Sequence, residues 1–186
     1  MIERVWYEGQ SGRRVWMAPD EMAIVFDATV FDAIVVDAKG PSRREAQTRF
    51  ERTAPQAKLM RQDGPVAYYK LPPDQSPRRE AVAARREPGV RHAGPVFYQN
   101  PNNPRSAMAL SGDIIVSFHT APSAQALEHL AKRYGLTFVQ ALSYAPNTFI
   151  FDARSASDSL DLANTIRTSE GVAGAHPNWI RSFGKR

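Results

Sequence analysis

Two nine-residue stretches of the chain share one pattern. Residues 89–97 are "GVRHAGPVF" and residues 171–179 are "GVAGAHPNW". In both, Gly-Val is followed by two residues, then Ala, one residue, Pro, one residue and a large aromatic side chain. Similarity between distant parts of one sequence indicates duplicated architecture. We therefore expect the same structural unit twice, with these stretches as the closing strand of each copy.

The second half of the chain predicts six elements in the order strand, helix, strand, strand, helix, strand. Apolar and β-branched runs indicate the strands, and apolar positions at helical spacing indicate the helices. Thr120 is the predicted N-cap of the first helix, Gly135 ends it, and Ser157 is the predicted N-cap of the second. The predicted ranges are strand 112–118, helix 120–135, strands 136–144 and 147–153, helix 157–171 and strand 172–180.

The first half repeats this order. Ser42 and Glu45 have the spacing of a capping box, and Ser76 followed by Pro77 is typical of a second helix start. The predicted ranges are strand 21–28, helix 42–55, strands 57–64 and 66–72, helix 76–89 and strand 90–98.

A βαββαβ order predicts the ferredoxin-like split-βαβ unit, an antiparallel four-stranded sheet with two helices on one face. The fold class is therefore α+β with two such units. Arg-Val-Trp on both sides of a Gly-containing turn predicts an N-terminal β-hairpin. The predicted boundaries are hairpin 1–18, first unit 19–99, linker 100–110, second unit 111–180 and C-terminal tail 181–186.

The sequence contains no pattern that is typical of an active site. It lacks cysteine, which excludes disulfides and thiolate zinc sites, and its four histidines do not have metal-ligand spacing. Asp27, Asp32 and Asp37 recur every five residues, a spacing that alternates faces on a strand. We expect them to be solvent-facing carboxylates on an extra strand. The chain is thus expected to be no enzyme and to bind no metal and no cofactor.

Nucleic-acid binding is an alternative from a different class. The net charge is +5, and RRM-like sheets bind RNA through exposed strand aromatics. Tyr68, Tyr69, Phe149 and Phe151 lie on predicted strands, but their segments match the RNA-binding consensus poorly. Phe149 and Phe151 share a face, and aromatic residues at this period on a central strand favour core positions, so we expect no nucleic-acid partner.

Residues 112–180 resemble the N-terminal pro-segment of subtilisin-like serine proteases (family S8). The matching residues follow the order of the family pattern across the whole second unit, and residues 19–99 resemble the family more loosely. The matching motifs are Ile114 to Phe118, Gly135-Leu136, Leu162-Ala163-Asn164, Gly171-Val172, and Ala175 with Pro177-Asn178-Trp179.

The resemblance implies an inhibitor and intramolecular chaperone of a subtilisin-like protease, acting in cis or in trans. The exposed sheet face would dock on the catalytic domain, and the tail would bind the active-site cleft like a cleaved product. The triad motifs of the family are absent, so a stand-alone inhibitor of the same fold is the alternative. The implied protease-binding residues are Pro177, Asn178, Trp179, Phe183, Gly184, Lys185 and Arg186.

His176 stands where the family often has an acid. Because histidine changes its charge between about pH 5 and 8, His176 is a candidate for pH-dependent release, the alternative being an ordinary surface histidine. No apolar run has the length of a membrane span, so we expect no membrane partner, and a monomer when the protein is free. The compartment is open: extracytoplasmic for a protease precursor segment, cytoplasmic if Met1 is the native start.

Overall fold

The computed structural model describes residues 1–8, 11–27, 42–153 and 158–181. They fall into two compact units. Unit 1 holds the described residues of Met1–Glu3, Trp16–Ala109 and Ile180–Arg186, and unit 2 holds those of Arg4–Val15 and Leu110–Trp179. Several residues of the sequence-based predictions lie outside the described ranges: Asp32, Asp37, Ser157, Phe183, Gly184, Lys185 and Arg186.

The fold is α+β, with mostly antiparallel strand pairing and four α-helices among the described residues. The strands are β1 Ile2–Glu8, β2 Ser11–Phe26, β3 Lys58–Asp63, β4 Val66–Lys70, β5 Val90–Tyr98, β6 Ala107–Phe118, β7 Thr137–Ala141, β8 Thr148–Asp152 and β9 Val172–Arg181. The helices are α1 Arg43–Thr53, α2 Pro77–Ala84, α3 Ala124–Tyr134 and α4 Ser159–Ile166. A short 3-10 turn, Pro104–Ser106, precedes β6.

In unit 1 the strand order is β3-β4-β2-β5, and each neighbouring pair is antiparallel. Both helices pack on the same face of this sheet, because alternate strand residues point to that face. Phe50 of α1 meets Tyr69 of β4 edge to face, with 4.9 Å between ring centroids. The buried cluster consists of Met22, Ile24, Phe26, Ala46, Phe50, Ala54, Ala67, Tyr69, Leu71, Ala81, Ala84, Val90 and Ala93.

The other face of the unit 1 sheet is also buried. Here the intervening strand residues pack together with Ala18 of β2, the first residues of β6 and the half-buried Ile180. Two apolar layers therefore enclose this sheet, and each fully buried large side chain contributes about 1.5–3 kcal/mol. The second cluster consists of Ala18, Ala23, Val25, Val66, Tyr68, Val96, Tyr98, Ala107 and Ala109.

In unit 2 the strand order is β7-β8-β6, and β9 also pairs with β6. The β6–β8 and β7–β8 pairs are antiparallel. Both helices pack on one face, where the largest fully buried side chains include Ile114, Phe151 and Ile166. The cluster consists of Ile114, Val116, Leu130, Leu136, Phe151, Ala153, Ala163, Ile166, Val172 and Ala175.

Three backbone hydrogen bonds of unit 1 have a counterpart of the same length in unit 2. In each unit, two of them join the C-terminal end of the first strand to two turns, and the third joins a residue within that strand to the segment after the third strand. The donor and acceptor pairs are Phe26 N to Pro65 O and Phe118 N to Asn147 O (2.9 Å), Asp27 N to Gly89 O and His119 N to Gly171 O (3.1 Å), and Leu71 N to Asp20 O and Ala153 N to Gly112 O (2.8 Å).

The helix ends show which of the predicted helix caps are correct. The capping box is confirmed, since Ser42 accepts from the Glu45 amide and the Glu45 carboxylate accepts from the Ser42 amide. Gly135 ends α3 at a φ of 64°, as predicted. Thr120 is not the N-cap of α3; the cap is Ser123. A cap at Thr120 would place Ala121 in the first turn immediately before a proline, and that position disfavours helical dihedrals.

Other expectations differ from the structure in extent. The N-cap of α4 is Asp158 rather than Ser157, because the Asp158 carboxylate accepts from two helix amides. Ser76 caps α2 in position, but its side chain makes no capping hydrogen bond. The hairpin strand and the first strand of the βαββαβ order form one strand, β2, and the range 100–110 includes buried residues 107–110 of β6.

Candidate functional site

Unit 2 has a sheet face that points away from its helices. Ile115 and Ile150 are directly paired across β6 and β8 on this side, between the core-facing residues. Next to them, the hydroxyl oxygens of Ser117 and Thr148 are 3.0 Å apart and hydrogen-bonded. Both isoleucines are half-buried, so apolar surface remains accessible here. We call these four residues the outer face of unit 2.

The equivalent positions of the unit 1 sheet are buried. Ala23 and Tyr68 are directly paired there, as Ile115 and Ile150 are in unit 2. Ala23 is 2% exposed and Tyr68 is 1% exposed, and both belong to the second apolar cluster of unit 1. A partner that docks on the outside of a sheet therefore finds apolar surface on unit 2 and none at these positions of unit 1.

The strand β9 carries three of the residues implied in protease binding, and it also carries His176, the candidate for pH-dependent release. Pro177 is buried, and His176, Asn178 and Trp179 are half-buried. The structure brings His176 and Trp179 together around the indole of Trp6, whose ring centroid is 6.1 Å from that of His176 and 5.9 Å from that of Trp179. Because Trp6 is 4% exposed, it anchors β1 at β9. In the sequence, Trp6 is only part of the Arg-Val-Trp pattern that predicts the hairpin, and that pattern does not indicate a contact with β9.

The neighbouring residues of β1 contact one face of α4. Arg4 forms an ion pair with Asp161, and the side-chain amide of Asn164 donates to the Val5 carbonyl at 2.8 Å. The Arg167 guanidinium lies 3.9 Å from the ring centroid of Tyr7. Contacts at a spacing of three residues share one helix face. β1 thus contacts both α4 and the closing strand β9 of unit 2.

The tail residues Phe183, Gly184, Lys185 and Arg186 lie outside the described part of the chain. β9 ends at Arg181, which is exposed. Binding of the tail to a protease cleft remains a prediction.

The four strand aromatics do not form a stacking platform. Tyr68, Tyr69 and Phe151 are at most 1% exposed, and Phe149 packs against the unit 2 core. Burial raises the pKa of both tyrosine hydroxyls. RNA bases need exposed aromatic faces, so these side chains cannot supply the RRM-like surface of the alternative hypothesis.

The described residues contain no group of three or more His, Asp or Glu side chains that could hold a metal ion. Unit 2 has a cavity of about 580 Å³ beside α3. Its lining is largely apolar, with Phe118, Leu130 and Tyr134, and its polar side chains include His129 and Arg133. In the same described ranges, no helix is long and apolar enough to cross a membrane.

No protein-family model matches the chain. The chain is 23% identical to a calcium-dependent protease of Trichormus variabilis and, again at 23%, to a calcium-dependent protease of a Nostoc species; each alignment covers 98% of this chain. The chain spans 28% of the length of these curated relatives. A solved complex of an Aeromonas sobria serine protease with the chaperone ORF2 includes a chain that is 22% identical, with a TM-score of 0.37, over 50% of this chain and 82% of that one.

Proposed function

We propose that this chain is the pro-region of a subtilisin-like serine protease and acts as its inhibitor and intramolecular chaperone. The observation that carries the proposal is the coverage of the alignments. Nearly the whole chain aligns with proteins named proteases, yet it accounts for little more than a quarter of their length. A segment of that size without triad motifs fits a non-catalytic part of a protease precursor. The pro-segment motifs of residues 112–180 agree with this assignment.

The two units are proposed to be tandem ferredoxin-like copies. Both have the element order βαββαβ, with both helices on one sheet face. The three recurring backbone hydrogen bonds support the same view, since they join equivalent positions of equivalent elements. Equivalent cores do not require equivalent surfaces, and the outer faces of the two units differ.

The outer face of unit 2 is the proposed docking surface for the catalytic domain. Ile115 and Ile150 offer accessible apolar side chains, and apolar anchors at the centre of an interface contribute most of its affinity. In unit 1 the paired positions Ala23 and Tyr68 are buried. Unit 1 is therefore proposed to act as an adaptor or spacer.

The tail that follows β9 is the proposed product-like segment. Cleavage after Arg186 would place Phe183, Gly184, Lys185 and Arg186 in the P4, P3, P2 and P1 subsites when unit 2 is docked. Lys185 and Arg186 suit an acidic specificity pocket, and Phe183 suits an apolar P4 subsite. Inhibition then needs only a well-placed chain end with a preorganised surface behind it.

The test uses the Trichormus variabilis protease without the part that aligns with this chain. Its hydrolysis of a peptide substrate and its refolding from denaturant are measured with and without the 186-residue chain. We expect slow-dissociating inhibition and a higher yield of active protease. Inhibition without any gain in refolding would favour the stand-alone inhibitor. The absence of both effects, with this protease and with subtilisin, would contradict the proposal.

A further inference from the structure

The outermost strands of the two units, β3 and β7, occupy equivalent positions. Each pairs with one neighbour, β4 or β8, and no other strand among the described residues pairs with it. Leu59 opposes Tyr69 in unit 1, and Phe138 opposes Phe151 in unit 2. Immediately after these pairs the register of both strands shifts. The same β-bulge therefore falls at Met60 and at Val139.

The two edges differ in charge. β3 has the sequence "KLMRQD", with a charged residue at each end. Its Arg61 forms an ion pair with Asp63 at 3.2 Å and donates to the Pro104 carbonyl at 3.1 Å. Charged side chains on an edge strand oppose pairing with a further chain. The charges on β3 thus oppose the pairing of another strand with the edge of unit 1.

β7 has the sequence "TFVQA", without a charge or a proline. All five of its residues are exposed. Phe138 and Val139 are each 47% exposed, and Tyr144 in the following turn is 82% exposed. Such an edge offers unpaired backbone groups beside apolar side chains, which is the surface used in β-strand addition.

We propose that β7 receives an extended, apolar segment of the protease chain as an added strand of the unit 2 sheet, an inference that rests on the proposed function. The charge difference between two equivalent edges supports it. Charged edge residues are present on β3 of unit 1, whose outer face is buried. They are absent from β7 of unit 2, whose outer face is accessible. Strand addition at β7 places a second contact beside the docking surface.

A second copy of this chain fits the edge less well. A stable dimer needs about 1,200 Å² or more of buried surface, and β7 has only five residues. So short an edge binds a strand only when the partner is already held by another surface. A protease docked on Ile115 and Ile150 meets this condition.

The test compares Val139→Lys with Met60→Lys, which place the same charge at the same bulge of the two edges. The native side chains have similar exposure, 47% and 44%. Affinity for the Trichormus protease lacking its aligned part is measured by calorimetry, and circular dichroism verifies folding. We expect V139K to weaken binding about tenfold or more, and M60K to leave it unchanged within about twofold. Amide hydrogen exchange of β7 should slow on binding, because strand addition protects backbone amides.

The outcomes separate this inference from the proposed function. If the wild-type chain does not bind the protease, both are overturned. If it binds, while V139K binds equally and β7 exchange stays fast, only the edge inference is overturned. If the wild-type chain forms a concentration-dependent dimer that V139K abolishes, the edge serves self-association and the inference is likewise wrong.

Discussion

The indole of Trp6 lies edge-on to the imidazole of His176, with 6.1 Å between ring centroids and 60° between ring planes. A residue of the N-terminal hairpin therefore covers the closing strand at the position where the pro-segment family often has an acid. Trp6 also meets Trp179 at 5.9 Å. The hairpin is thus part of the packing of unit 2, and β9 depends on it.

Trp6→Ala should destabilise the protein by about 3–5 kcal/mol, the usual cost of truncating a buried tryptophan. Trp6 is 4% exposed, so a cavity would remain at β9. Chemical denaturation measures the loss. Val5→Ala is the matched control in β1, because Val5 is 38% exposed and its carbonyl still accepts from Asn164. A small effect of Trp6→Ala, similar to that of Val5→Ala, would show that the hairpin does not stabilise unit 2.

His176→Leu tests the hypothesis of pH-dependent release. The half-buried imidazole packs on Trp6, and leucine keeps an apolar contact while removing the titratable ring. We expect inhibition constants of wild type and variant to change by the same factor between about pH 7.5 and 5.5. A loss of inhibition at the lower pH in the wild type alone would instead identify His176 as the switch.

The order of elements could be predicted from sequence because its signals are local. Helical periodicity, the Ser42–Glu45 capping box and Gly135 each act within a few residues, and the structure confirms them. The N-cap of α3 at Ser123 is also a local feature, and the rule for residues before proline argues against the predicted cap at Thr120.

The candidate site could be predicted only in part. The contact of Trp6 with His176 joins residues at opposite ends of the chain, so no sequence window contains it. The different outer faces have a weak signal: Val25 and Tyr68 stand in unit 1 where the more polar Ser117 and the aliphatic Ile150 stand in unit 2. This difference between the two units can be recognised only once the strand register is known.

Removal of residues 181–186 should weaken inhibition by at least about a hundredfold, since the tail is proposed to supply the cleft contacts. The fold should persist, because the deletion begins at exposed Arg181, the last residue of β9. Inhibition kinetics and a thermal melt of the truncated chain measure the two effects. Equal inhibition by full-length and truncated chains would exclude cleft occupancy.

Ile150→Lys should weaken protease binding about tenfold or more, because it places a charge in the proposed apolar interface. Val82→Lys on α2 is the control; Val82 is 45% exposed and lies on the helix side of unit 1. Binding of both variants is measured by calorimetry. If the two substitutions weaken binding alike, the outer face of unit 2 is not the docking surface.

Glu45→Gln should lower stability at neutral pH and lose its effect in acid. The hydrogen bond from the Ser42 amide, followed by that from the Ser42 hydroxyl, holds the pKa of Glu45 below its ordinary value of 4.5. A carboxyl with a depressed pKa in the folded state stabilises the protein above the unfolded pKa, and this contribution disappears as the pH falls through the folded pKa. Thermal melts of wild type and variant at a series of pH values measure the difference. The two melting temperatures should differ at pH 7, where the wild-type carboxylate is charged, and should converge as the pH falls below 4.5 and through the lower pKa of the folded state. A difference that stays constant throughout would mean that the capping box acts without its charge.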